Sequence, residues 1–113
     1  MSRGLPTHVE VSSILRRISG EGDFATVMSR GDPERGALLI LVSSRGRHVT
    51  CLERVLGVDG DYRWQEAGPA ESASSAELAE FLARRTRFDA DSWVIELDIA
   101  EPERFIAETT RVG

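Results

Sequence analysis

The stretch Ala37–Val42, written ALLILV, constrains the fold more than any other part of the chain. It is the longest unbroken aliphatic run, and Gly36 and Ser43-Ser44 bracket it. Six apolar residues without a polar interruption read as a strand covered on both faces. The rest of the chain must supply those two covers.

Length sets how that can be done. With 113 residues, 41% of them hydrophobic, the chain is sized for one domain over residues 1–113. Such a domain buries about two thirds of the surface its unfolded form exposes, so a core needs no metal or disulfide. Charged residues make up 29%, with both signs mixed, which argues against disorder. All 14 basic residues are arginine. The formal charge of -5 argues against general nucleic-acid binding, which calls for a basic domain. The single cysteine, Cys51, cannot form an intrachain disulfide, and its apolar surroundings read as a buried thiol. No apolar run approaches the ~18–20 residues of a membrane span. The start, MSRGLPTHVE, has no apolar signal core, so the expected location is the cytoplasm.

The first six residues read as a flexible arm. Thr7-His8-Val9-Glu10 fits a capping box. Val11, Ile14, Leu15 and Ile18 then form one helical stripe, so a first helix is expected over Val9–Ser19, stopped by Gly20 and Gly22. Phe24–Arg30 is rich in strand formers, and Gly31–Gly36 reads as a hairpin loop into the ALLILV strand. Ser44–Arg47 is a tight turn, followed by a strand over His48–Val55. Its alternation sets Val49 and Cys51 on one face and leaves Leu52 out of pattern. Asp59-Gly60 signals a hairpin into a half-exposed, edge-like strand carrying Tyr62, Trp64 and Glu66.

Ala67–Ser74 is a surface linker, and Ser74-x-x-Glu77 is a second capping box. Behind it Leu78, Phe81 and Leu82 form a helical stripe, widened by Ala79 and Ala83. Arg84, Arg85 and Arg87 crowd that helix end, where positive charge suits the dipole. Asp89-Ala90-Asp91 turns the chain into a last strand, in which Trp93, Ile95, Leu97 and Ile99 alternate with Val94, Glu96 and Asp98. Pro102 suits the first position of a short C-terminal helix with Phe105 and Ile106 inward. The expected fold is α+β. A five-stranded, mostly antiparallel sheet carries two main helices on one face, in the order helix, four strands, helix, strand. The back of the central strand then needs Pro102–Thr109 or a second subunit, and a homodimer is the more economical choice.

Two blocks of residues resemble a known family. The first runs from Val11-Ser12-Ser13-Ile14-Leu15-Arg16-Arg17 through Gly22, Phe24-Ala25 and Val27 to Arg30-Gly31-Asp32 and Gly36-Ala37. The second is Arg87-Phe88-Asp89-Ala90-Asp91-Ser92-Trp93-Val94-Ile95-Glu96. Together they resemble the bacterial family catalogued as domain of unknown function 1491, found mainly in alphaproteobacteria. The family pattern has an aromatic where this chain has His8-Val9-Glu10, and commonly proline where Ala90 stands. The middle, Val55 to Ser75, matches poorly. The resemblance implies a small α+β domain of the bacterial cytoplasm and no particular activity.

Catalytic chemistry is thinly signalled. His8 and His48 form no pair with zinc-ligand spacing. Cys51 with a histidine as base has no local support. Asp59/Asp61 and Asp89/Asp91 are Asp-x-Asp pairs, but a hard cation needs more oxygen ligands, and turns explain both. No phosphate loop is present: Gly20-x-Gly22 lacks a preceding strand, and Gly31–Gly36 opens no helix and carries no lysine. No cofactor is implied. The arginines at 16, 17, 84, 85 and 87, and Arg45 and Arg47 about a turn, offer forks for phosphate or carboxylate, though exposed helix ends commonly carry arginine for its own sake. Trp64 offers a stacking surface, while Trp93 belongs to the core.

The candidate binding residues are therefore Arg17 and, on the glycine-flanked loop beside the central strand, Arg30, Asp32 and Arg35. Three functions stay open. The leading one is a non-enzymatic binding or protein-interaction module, homodimeric and engaging another protein. The alternatives are a nucleic-acid-associated protein using the arginine-rich helix ends with Trp64, and a small enzyme with an unrecognised carboxylate or thiol site. No membrane partner is expected.

Overall fold

The computed structural model describes residues 5–111. Its elements follow the expected order: α1 (Thr7–Gly20), β1 (Phe24–Ser29), β2 (Leu38–Ser44), β3 (Arg47–Leu56), β4 (Tyr62–Glu66), α2 (Ser75–Phe88), β5 (Trp93–Asp98) and α3 (Pro102–Thr109). The five strands form one sheet in the order β1-β5-β2-β3-β4. The ALLILV run becomes β2, at the centre of that sheet, with Leu38 to Val42 all buried. Each such side chain contributes about 1.5–3 kcal/mol on burial, so this one strand is a major stabilising element.

The sheet is mixed rather than purely antiparallel. β5 inserts between β1 and β2, antiparallel to the first and parallel to the second. The loop before β2 is therefore not a hairpin; it spans the width of the inserted strand. The reason lies in the side chains. β5 buries Ile95 and Leu97 on one face and Val94 on the other. β5 and β2, each with apolar residues on both faces, sit side by side, and β1, with alternate residues exposed, takes an edge.

The two covers come from different helices on opposite faces, rather than from two main helices on one face. Leu38, Ile40 and Val42 join Leu52, Trp93, Ile95 and Leu97 in a core closed by Val11, Ile14 and Ile18 of α1 and by Phe105 and Ile106 of α3. Leu39 and Leu41 join Cys51 and Val94 in a second core closed by Leu78, Phe81 and Leu82 of α2. Ala79 and Ala83 face solvent and do not widen that stripe. The central strand is thus covered twice by its own chain, and no second subunit is required to hide it. Leu52, out of pattern in the sequence, is explained by the same geometry. β3 is also apolar on both sides, with Leu52 in one core and Cys51 in the other.

Three local differences matter for the site. Thr7 does not cap α1. Pro6 holds the N-cap position, and the Thr7 hydroxyl donates instead to the Gly36 carbonyl at 2.8 Å. Pro6 accepts backbone bonds from Val9 and Glu10, so it begins the helix; of the arm expected over residues 1–6, Met1–Gly4 lie outside the described residues. A bulge where Val42 gives way to Ser43 leaves Val49 as the extra residue of β3, which sets it on the α1 side, away from Cys51. The tight turn at Ser44–Arg47 places Arg45 and Gly46 at positive φ, the combination that matches strand twist. The Asp98 carboxylate accepts from both turn amides at 2.9 Å and holds the Arg45 backbone there. The second capping box forms as expected, and the Ser74 amide bonded to Glu77 holds that carboxyl below its ordinary range.

Candidate functional site

A groove of about 860 Å³ opens on the face carrying α1 and α3. Its walls are Ile14 and Arg17 of α1 and Arg104, Phe105 and Glu108 of α3. Its floor is the sheet at Ile40 and Trp64, with Ile99 beside them. Glu21, Asp23 and Glu101 close the ends. The lining therefore has an apolar bottom and a charged rim. Five carboxylates, Glu10, Glu21, Asp23, Glu101 and Glu108, stand against two guanidiniums, Arg17 and Arg104.

The rim is built by specific contacts. Arg54 on β3 holds Glu10 of α1 through two bonds, at 2.6 and 2.9 Å, with the side chains 17% and 14% exposed. This paired fork is the strongest geometry available to the two groups, and partial burial keeps solvent from screening it. The Arg54 guanidinium also lies 5.3 Å over the Trp64 ring and 5.8 Å over that of Tyr62. Arg54 is thus a strut that ties α1 to the outer strands and fixes the tryptophan against the groove floor. Asp23 accepts from the Ala100 amide at 3.2 Å, which joins the turn after α1 to the start of α3. Arg104 pairs with Glu108 and Glu101 along α3. Arg17 and Glu21 have no ion-pair partner among the described residues and stay available to a ligand.

The residues expected to bind are split by the fold. Arg17 lines the groove, whereas Arg30, Asp32 and Arg35 lie where Pro33 and Glu34 accept the first amides of α1. Ten helical residues, ~15 Å, separate Thr7 from Arg17, so the two sets do not form one site. The loop is mainly a clamp. The Asp32 amide donates to the Asp91 carbonyl at 2.9 Å, and the Trp93 indole donates to the Asp32 carbonyl at 2.7 Å. Asp32 also receives the Glu34 amide on its carboxylate. Arg30 stacks 5.7 Å over Trp93, and Arg35 is exposed. The two sequence blocks that carry the family resemblance meet here, at the start of β5.

Other candidates resolve into structure. Cys51 has no exposed surface, and burial pushes its thiol from 9.0 up to about 12, so no nucleophilic thiolate forms near neutral pH. His48 bonds the Pro69 carbonyl at 3.0 Å, and His8 is exposed at the start of α1. Asp59 takes bonds from Arg63 and the Asp61 amide, which hold its carboxyl below the usual range. Among the described residues no three His, Cys, Asp or Glu side chains group to hold a metal. No helix of the described residues is long and apolar enough to cross a membrane. Arg17 lies on one side of the sheet, and Arg84, Arg85 and Arg87 belong to the helix on the other. Arg85 is paired with Glu53 and Arg84 with Glu80, so these four arginines make no single basic face.

The groove was only partly legible in the sequence. Trp64 stood out as a stacking surface, and it does line the floor. Glu10 reads as a capping residue until Arg54, 44 residues later, is placed beside it. No local spacing reveals that pair.

The family described as "Protein of unknown function (DUF1491)" matches residues 5–107. Among solved structures, the chain is similar to a DUF1491 family protein from Caulobacter crescentus CB15 determined by crystallography. The identity is 28%, with 84% of this chain and 88% of that one covered, at a TM-score of 0.75. It is also similar to an NMR structure of a DUF1491 family protein from the same organism, at 30% identity, 88% and 89% coverage and a TM-score of 0.73. Protein Atu0922 from A. tumefaciens is a third, at 26% identity, 87% and 88% coverage and a TM-score of 0.71. No curated protein matches.

Proposed function

The chain belongs to the DUF1491 family of proteins of unknown function, and from its own geometry we propose that it is a small, non-enzymatic, cytoplasmic interaction module whose α1–α3 groove receives a basic segment of a partner protein. The observation that carries this reading is the groove itself. Its volume, ~860 Å³, falls within the range of about 300–1,000 Å³ typical of binding clefts. An apolar floor of Ile40 and Trp64 between walls that carry Ile14 and Phe105 suits aliphatic side chains. The Glu21 carboxylate, without an ion-pair partner among the described residues, suits lysine or arginine within a rim where carboxylates outnumber guanidiniums. The partner's charge then complements a chain of net charge -5. The chemistry of the lining supports binding over catalysis: among the described residues Thr109 supplies the one hydroxyl of the groove, with no histidine or cysteine beside it, and most of the carboxylates are committed to arginines or to the Ala100 amide. Arg17 sits on the rim as an anchor for a carboxylate of the same partner, while Arg30, Asp32 and Arg35 offer a separate, smaller contact at the other end of α1.

The test is a titration of isotope-labelled protein with a 12-residue Lys/Leu amphipathic peptide, its Glu/Leu counterpart and a 12-nucleotide RNA. The basic peptide is expected to shift the Trp64 indole and the amides of Arg17, Arg104 and Phe105. Its Kd should rise about tenfold between 50 and 300 mM salt. Glu21→Lys with Glu108→Lys should weaken binding by a further tenfold or more. Shifts confined to α2 or to the β3–β4 turn, a preference for RNA, or no shift at 1 mM peptide would overturn the reading.

A further inference from the structure

The two edges of the sheet are built differently. β4 is five residues long and carries Arg63 and Glu66, charges that discourage another chain from adding to the edge. β1, FATVMS, carries no charge at all. Its inner side pairs with β5, and no backbone group of Phe24–Ser29 bonds to anything on the outer side among the described residues. Two large apolar side chains stand out from it, Phe24 at 72% exposure and Met28 at 53%.

The pattern of these residues is symmetric. Phe24 and Met28 lie equally far from Thr26, with Ala25 and Val27 between, so Phe-Ala-Thr-Val-Met has the same polarity read in either direction. Self-complementarity of this kind is what a two-fold interface requires, since residue i must meet j while j meets i. We propose that β1 is a self-association edge, on which a second copy of this chain adds its own β1 antiparallel about a two-fold axis at Thr26. Phe24 of each copy then lies across from Met28 of the other, a favourable aromatic–sulfur pairing, and the outer backbone groups of both strands become bonded. The charge-free edge also answers an electrostatic requirement. Two copies of net charge -5 repel, and β1 brings them together without setting like charges opposite one another. Met28 is the extra residue of the bulge between Val27 and Ser29, so it is the last residue of the added ladder, which keeps that ladder short and the association weak. This gives the homodimer expected from the sequence a different interface from the back of β2, and it is independent of the groove reading.

Sedimentation velocity from 10 µM to 1 mM tests it, together with two variants of the exposed Thr26. The wild type is expected to dimerise with a Kd on the order of 100 µM, as befits a small interface. Thr26→Lys, which sets two ammonium groups against each other at the axis, should raise that Kd at least tenfold while leaving the circular dichroism unchanged. Thr26→Cys should cross-link to itself under mild oxidation at least ten times faster than Gln65→Cys on the β4 edge, the buried Cys51 staying silent. A monomer at every concentration would overturn the proposal. So would a dimer indifferent to Thr26→Lys, or cross-linking no faster at Thr26 than at Gln65.

Discussion

Gly36→Ala is expected to destabilise the protein by about 3 kcal/mol or more, among the largest effects available to a single methyl group. A Cβ at this position would collide with the Asp91 carbonyl, and it would come within 2.7 Å of Trp93 Cδ1 and 2.8 Å of the Asp32 carbonyl. Two of those three neighbours are backbone, so neither can swing aside. The backbone around them is also the most heavily bonded junction of the fold. Thr7 donates through its amide to Glu34 and through its hydroxyl to Gly36, Asp32 bonds Asp91, and Trp93 bonds both Ala37 and Asp32. A shift that relieves the methyl group strains the start of α1, the start of β2 and the start of β5 together. In thermal unfolding the cost corresponds to a drop of roughly 12 °C for a chain of this size. Gly20→Ala is the control, because its added Cβ meets nothing within 4 Å and it lies in a helix. Its effect should stay within about 1 kcal/mol of the wild type. If Gly36→Ala proves as mild as Gly20→Ala, the clamp between the two family blocks is not as tight as described.

Ile40→Ala and Leu41→Ala should each cost about 2–5 kcal/mol in urea unfolding. The two side chains are neighbours in sequence and strangers in space. Ile40 packs in the core under α1 and α3, and Leu41 in the core under α2. Both are about 2% exposed. Because they share no side-chain neighbourhood, their losses should add within about 0.5 kcal/mol in the double variant. A strand covered on one face only would give one large loss and one near zero.

That strand was the most readable part of the chain, and the reason is physical. A run with no polar position leaves no orientation in which one face can be wet, so two covers follow from composition alone. Periodicity likewise placed α2, with its Ser74–Glu77 cap, and the core side of β5, because those signals are carried by residues a few positions apart. What the sequence did not disclose were choices between distant partners. Short loops suggested that β1 pairs with β2, but nothing near Gly31–Gly36 says that a strand 60 residues later will slip between them. Thr7 and Glu10 satisfied a local capping rule, yet each found a better partner across the fold, in the Gly36 carbonyl and the Arg54 guanidinium. Val49 obeyed the two-residue alternation until a bulge moved it to the other face. The groove was hidden for the same reason. Its lining is drawn from α1, β2, β4 and α3 and the segments beside them, and only Trp64 and Arg17 are conspicuous in the sequence.

Native-state hydrogen exchange at 20 µM, well below the expected dimer Kd, tests most directly whether one chain supplies both covers of its central strand. The amides of Leu39–Val42 and Val94–Leu97 should exchange only through global unfolding, with protection unchanged on tenfold dilution. Protection on β2 that falls as the protein is diluted would instead mean that a second copy, not α2, keeps water from the far side of the strand.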